Sequence, residues 1–353
     1  MLYILAHYLD DKSGSEMLCA KTQLVELLMR RRSEKIIIFV GGCCYDDSIE
    51  LLEPFENVDV VQSSPKFFGL HSRIGILVSV IYINFVLARL LRNGDGVWLL
   101  SPNSIFLTVV TRRDVQIFSC SYGRREGSFV QQALLIGREK LGRLMCEIRL
   151  PGDQHVGLFR GKADDFIDDY FRARNDIRSR RVRVVMYTRR DRIKRPELTR
   201  EVARLLQKEV SVTLFSDLGV RSSEEAWHHP LIDRKAFLKG LETADFVVSL
   251  SDERGGVWLL DALNAGVWVL DKGHCLEGAF CDVSICTNDN CSALGVVASI
   301  LENIQKVCLG NHAQMRAARQ ALIRIEQSYG AQPLAAKISS LLSHRRDFAS
   351  RNL

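Results

Sequence analysis

The stretch ADFVVSLSDERGGVWLLDALNAGVWVLD, Ala244 to Asp271, decides how the rest of the chain is read. "ADFVVSLS" is an apolar, β-branched run closing in serines, and "DERGG" is a turn. "VWLLDALNAG" has the composition of a helix ended by glycine, and "VWVLD" is a second strand. Strand, turn, helix and strand in this order make a βαβ unit, the crossover that parallel sheets need. Gly255 and Gly256 let the backbone come close to a ligand. The first helical amides, from Val257 on, can donate to phosphate oxygens with the helix dipole in support. Glu253 stands on the loop. Asp261 lies in the early turns of the helix, where a carboxylate either meets ribose hydroxyls or balances the dipole.

The same alternation continues outward. "LYILAHYL", "KIIIFVGG", "VDVVQ", "GVWLLSP" and "DVQIFSC" are strand candidates in the first half, and Leu18, Leu24, Leu27 and Leu28 mark a helix after the first of them. Arg30, Arg31 and Arg32 close that helix, where cations suit the dipole. After the charged helical stretch "KADDFIDDYFRARNDIRSRR" the pattern restarts with "VRVVMYT" and "VSVTLFS" and runs into the opening stretch. The simplest architecture is α/β, with two Rossmann-like domains facing a cleft. They are expected over residues 1–175 and 176–353, with the join near Arg172 to Arg180 and ligand in the cleft.

Composition narrows the class. The 353 residues are 47% hydrophobic and 25% charged, which suits a soluble chain of two domains. The ten cysteines show no C-x-x-C spacing, so neither a zinc ribbon nor a disulfide scaffold is indicated, and a cytoplasmic, reducing setting fits. "MLYILAHYLDD" turns acidic too soon for a signal peptide and reads as a first strand. A net charge of +6 without a basic patch interleaved with aromatics gives no reason to expect nucleic acid.

The basic residues that matter are in "MYTRRDRIKRPEL". They follow a strand, and residues just past the carboxyl end of a parallel strand line the ligand crevice of such sheets. Arg189, Arg190 and Lys194 stand there.

These motifs together resemble the C-terminal domain of GT-B glycosyltransferases, above all the family 4, E-x7-E type. Glu253 and Asp261 are separated by seven residues in a strand–loop–helix–strand setting. The resemblance implies that Glu253 holds the donor sugar, Asp261 the ribose, and Arg189 with Lys194 the diphosphate, Arg190 being a rival for the arginine role. Gly255, Gly256 and Val257 would approach the donor. In "SGSEM", Gly14 and Ser15 match the family's glycine-rich loop after the first strand. No metal and no cofactor beyond the nucleotide-sugar donor is implied.

The chain departs from the family at several positions. Arg254, Gly255 and Gly256 stand where a small residue and an aromatic are usual, and Asp261 is one methylene shorter than the usual glutamate. A first-domain histidine has no counterpart, leaving Ser101 or Asn103 as substitutes. Asp46 and Asp47 keep an inverting mechanism with a carboxylate base open. Asp164, Asp165, Asp168 and Asp169 read as a solvated helix face.

Ile74 to Ala88 is apolar almost all round yet short of a clean span. Two readings stay open. The helix is enclosed by the protein, or its outer side, with Ile76, Val80 and Ile83 as first guesses, meets an anionic membrane between Lys66, Arg73, Arg89 and Arg92.

The expectation is a glycosyltransferase that moves a sugar from a nucleotide-diphosphate donor to a saccharide or lipid-linked acceptor, as in polysaccharide biosynthesis, with retention. An epimerase or phosphorylase on the same fold, and a silent nucleotide-sugar-binding protein, are the alternatives.

Overall fold

The computed structural model describes residues 1–6, 15–68, 73–100, 116–120, 147–150, 157–162, 165–166, 180–190, 195–217, 227–230, 234–251, 257–271, 292–310 and 312–351. The chain divides into two compact units, Met1–Gly157 with Gln332–Leu353, and Leu158–Ala331.

The first unit is built on a six-stranded sheet in the order β3-β2-β1-β4-β5-β6, with every pair parallel. Its strands are β1 (Leu2–Ala6), β2 (Ile36–Val40), β3 (Val58–Gln62), β4 (Gly96–Leu99), β5 (Gln116–Cys120) and β6 (Glu147–Leu150). Every side chain of β1 is buried, because β1 is central and both faces are covered, the condition that favours unbroken apolar runs. The crossovers include α1 (Ser15–Arg30), α2 (Tyr45–Leu52) and α3 (Arg73–Leu90). Leu24, Leu27 and Leu28 of α1 enter the core beside Leu2, Ile4 and Ile38. Glycine is required at Gly42, after β2, since a Cβ there would lie 2.1 Å from the Ser64 carbonyl oxygen.

On α3, Gly75, Ser79, Ile83 and Leu87 recur every fourth residue and are buried. Ile83, expected on the outer side, instead packs with Tyr3, Leu5, Phe39 and Val97 in the core. The outward residues are Ile74, Leu77, Ile81 and Phe85, half a helical turn away from that face. The side chains of Ile76 and Val80 lie outside the described ones. No helix among the described residues is long and apolar enough to cross a membrane.

The second unit repeats the plan on five parallel strands in the order β11-β10-β7-β8-β9. They are β7 (Arg183–Thr188), β8 (Ser211–Ser216), β9 (His228–Pro230), β10 (Phe246–Val248) and β11 (Trp268–Leu270). Helices α4 (Pro196–Leu206), α5 (Arg234–Leu241), α6 (Val257–Asn264), α7 (Ala293–Leu309) and α8 (His312–Tyr329) follow. In α4, Thr199, Val202, Ala203 and Leu206 are buried at helical spacing, and the helix lies against β7, β8 and α7.

The units differ from a division at residue 175 in two ways. Leu158 already belongs to the second unit: the Asn264 amide donates to its carbonyl at 2.7 Å and accepts from the Arg160 amide at 2.8 Å. Gly157, at φ 89°, makes the turn, and a Cβ there would stand 2.5 Å from Leu334. The last helix, α9 (Ala331–Arg351), joins the first unit, because Leu334, Ile338 and Leu342 pack on the core around Leu2 and Ile4. Arg180 sits firmly in the second unit, in a two-pronged ion pair with the buried Asp245 at 2.6 and 2.8 Å.

Candidate functional site

In each sheet the strand order reverses beside the first strand: between β1 and β4 in one unit, and between β7 and β10 in the other. At such a point the connections leave for opposite faces of the sheet, and the carboxyl ends of the two strands frame a ligand crevice. In the second unit β7 ends at the buried Thr188, and the next two residues, Arg189 and Arg190, are exposed. The Arg190 amide donates to Asp217 Oδ1 at 2.8 Å, which ties the start of this loop to the end of β8. Just before α4, Arg195 has φ 45° and ψ 57°, the left-handed region that costs a side-chain-bearing residue about 1–2 kcal/mol. Pro196 then fixes the first turn of the helix.

On the other side of the reversal, β10 leads into Ser249, whose amide donates to the Leu270 carbonyl at 2.9 Å. The Ser249 hydroxyl accepts from the Ser251 amide at 3.3 Å. These bonds hold the chain as it leaves the sheet, and α6 begins at Val257. The first turn of α6 lies beside the end of β7, where Trp258 meets Tyr187.

A stack of aromatic rings joins the two sides. The Tyr187 ring lies 5.4 Å from Trp258 at 24°, and meets Phe237 of α5 edge-on at 5.7 Å. The Arg189 guanidinium stands 5.7 Å from the same ring. Burial raises the Tyr187 pKa above the ordinary tyrosine value. The charge of Arg189 and its hydrogen bond to the phenol oppose the shift, and Asp217 adds to it. An anion here would meet a guanidinium fixed on an aromatic platform and a helix N-terminus beside it, a combination suited to phosphate oxygens.

Of the residues singled out from sequence, the structure places Arg189, Arg190, Val257 and Asp261 in this part of the second unit. Asp261 is buried on the second turn of α6. Ser15 is the first residue of α1, the next described element after β1 in the first unit. Gly14, Lys194, Glu253, Arg254, Gly255, Gly256, Ser101, Asn103, Asp164, Asp168 and Asp169 lie outside the described residues. Asp46 accepts both short contacts from Lys66, at 2.6 and 2.8 Å, so it stands in an ion pair. No cluster of His, Cys, Asp and Glu among the described residues could hold a metal ion. Sequence reasoning passed over Tyr187 and Trp258. The available signal was an aromatic alternating with the inward side chains at the end of β7, directly ahead of the arginines.

No protein-family model and no curated protein matches the sequence. Solved structures do match along nearly the whole chain. An α-glucosyltransferase in complex with UDP and a 13-mer DNA containing an HMU base aligns over 97% of this chain and 99% of its own, with a TM-score of 0.55 and 10% identity. A mutant of TarM from S. aureus, in complex with fondaparinux, α-GlcNAc-glycerol and UDP, aligns over 96% and 99%, with a TM-score of 0.54 and 11% identity. A protein described as UDP-N-acetylglucosamine 2-epimerase from Listeria monocytogenes aligns over 98% and 96%, with a TM-score of 0.54 and 16% identity. The chain has the GT-B fold, with two Rossmann-like units.

Proposed function

We propose that this chain is a glycosyltransferase that binds a nucleotide-diphosphate sugar at the carboxyl end of the second sheet and transfers the sugar to a saccharide or lipid-linked acceptor. The observation that carries the reading is the joint placement of Arg189 and the N-terminus of α6, coupled through Tyr187 and Trp258 at the strand-order reversal. In this reading Arg189 and Lys194 bind the diphosphate and stabilise the charge that builds on it as the glycosidic bond breaks. The Val257 amide, reached through Gly255 and Gly256, shares that charge, with Arg190 beside it. Asp261 takes the ribose hydroxyls, and Glu253 orients the sugar. Gly14 and Ser15 approach the donor and the acceptor through their backbone amides. The E-x7-E spacing favours retention, in which the leaving phosphate assists deprotonation of the acceptor hydroxyl.

The test is a thermal-shift series over nucleoside diphosphates and nucleotide sugars, since a ligand at about 100 times its dissociation constant stabilises the folded state by about 2.7 kcal/mol. One base should raise the melting temperature, and the matching nucleotide sugar should then be consumed when acceptors are added, in chelator as well as without it. No shift with any diphosphate sinks the reading. The epimerase neighbour motivates a second reading, in which the nucleotide sugar alone is converted. Stereochemical analysis of the sugar without acceptor separates the two. Binding without turnover in either assay would leave a silent binding protein.

A further inference from the structure

We propose that the outer face of α3 is a docking surface for an anionic lipid bilayer, a role of the first unit that goes beyond the nucleotide site. Along its length Ile74, Leu77, Ile81 and Phe85 are 63, 59, 63 and 56% exposed, while the opposite face is sealed into the core through Ile83 and Leu87. Solvent-facing residues at this spacing are normally polar in a surface helix, so the stripe calls for an apolar partner. Tyr82 and Leu90, also exposed, widen it.

Charge identifies the partner. From Lys66 to Gly94 the sequence carries four cations and no Asp or Glu. Lys66 is held by Asp46, which leaves the other end of the helix to act. There Arg89 lies 3.9 Å above the Phe85 ring and Arg92 is exposed. A guanidinium seated on a ring at the end of an apolar stripe matches the bilayer interface: the ring enters the acyl boundary and the cation stays at the phosphates. A second copy of this chain fits poorly. In a parallel pair of α3 helices Arg89 and Arg92 face their own copies, and in an antiparallel pair they face the end that carries Arg73, where Asp46 is already engaged by Lys66. The protein core takes the place of the polar face that a free amphipathic helix would need.

The experiment is co-sedimentation of the full chain with vesicles of phosphatidylcholine alone and with vesicles rich in phosphatidylglycerol, with nucleotide-induced thermal shift measured on the same samples. Wild type should pellet with the anionic vesicles, stay in solution with the neutral ones, and dissociate as salt rises. Arg89→Glu with Arg92→Glu should lower partition on the order of tenfold or more, since each basic residue near such a surface contributes about fivefold. Ile81→Ser with Phe85→Ser should release the protein while its circular dichroism and nucleotide shift stay unchanged. If those serines disturb folding, the exposed arginine pair alone decides. Wild type that ignores anionic vesicles at low salt overturns the proposal, and so does a dimer in sedimentation equilibrium that the serine variant dissolves. A lost nucleotide shift with retained vesicle binding would instead strike the donor-site reading alone.

Discussion

The Tyr187 ring lies 5.4 Å from the Trp258 indole at 24°, so the end of β7 and the first turn of α6 are packed as one piece. Arg189, two residues past the ring, stands 5.7 Å from it. Trp258→Ala is expected to cost about 3–5 kcal/mol of stability, as for other buried large aromatics cut to alanine, and to weaken nucleotide binding as well. Trp258→Phe should keep a ring for the stack and recover most of both. Chemical denaturation and calorimetry on the two variants check this. Equal affinity in Trp258→Ala and wild type would mean that the stack does not position the site.

Arg189 and Lys194 are expected to act on the diphosphate separately from stability. Arg189 is exposed, so Arg189→Ala should fold normally. Losing one charged hydrogen-bond donor should weaken nucleoside diphosphate binding roughly 10- to 100-fold, and Lys194→Ala should do the same. Binding of the corresponding nucleoside, which has no phosphate, should change little in either variant. Calorimetry with both ligands distinguishes a phosphate contact from a general disturbance of the loop.

Much of this was legible from residue order because parallel strands buried on both faces announce themselves as apolar runs. IIIFV and RVVMYT could hardly be anything else. Two strands escaped for a physical reason. Glu147–Leu150 carries two charges in four residues, and His228–Pro230 is a three-residue strand closed by proline. Both lie at sheet edges, where one side needs no ladder partner and the apolar signal fades. The inward face of α3 was also hidden, since a helix apolar on all sides carries no periodicity to orient it. Return of the last helix to the first unit depends on Leu334, Ile338 and Leu342 meeting a core assembled some 300 residues earlier in the chain, which no local pattern can report. In the site, the arginines were visible as a cluster after a strand. Their aromatic support was not, because Tyr187 and Trp258 meet only once β7 and β10 are neighbours.

Tyr187 offers a pH-dependent readout of Arg189. Its phenol ionises above the ordinary tyrosine value of 10.0 because burial opposes the charged form, while Arg189 pulls the other way. A pKa raised in the folded state favours folding fully below the unfolded value, and that contribution is lost as pH rises through the folded value. Alkaline titration followed by phenolate absorbance, with Tyr187→Phe as the subtraction, should therefore find a late-titrating tyrosine. Arg189→Ala should move it later still, since the opposing charge and hydrogen bond are gone. An earlier titration in that variant would contradict the contact between the two side chains.

Glu253 is the residue on which the chemical reading turns. In sequence it falls between Ser251, whose amide is held by the Ser249 hydroxyl, and Val257, the first residue of α6. If its carboxylate orients the donor sugar, it acts at the reacting centre and not on the nucleotide. Interactions of that kind are realised most fully in the transition state, so their loss appears in turnover before it appears in binding. Glu253→Gln, which keeps the shape and removes the charge, is expected to lower kcat roughly 10²-fold or more while leaving the affinity for the bare nucleoside diphosphate within a few-fold of wild type. Asp261→Asn provides the contrast. A residue on the ribose should weaken the nucleotide itself and raise KM with a smaller effect on kcat. Steady-state kinetics beside calorimetry on both variants gives the answer. Parallel losses of affinity and turnover in Glu253→Gln would move this carboxylate from the sugar to the nucleotide, and unchanged turnover would remove it from the site.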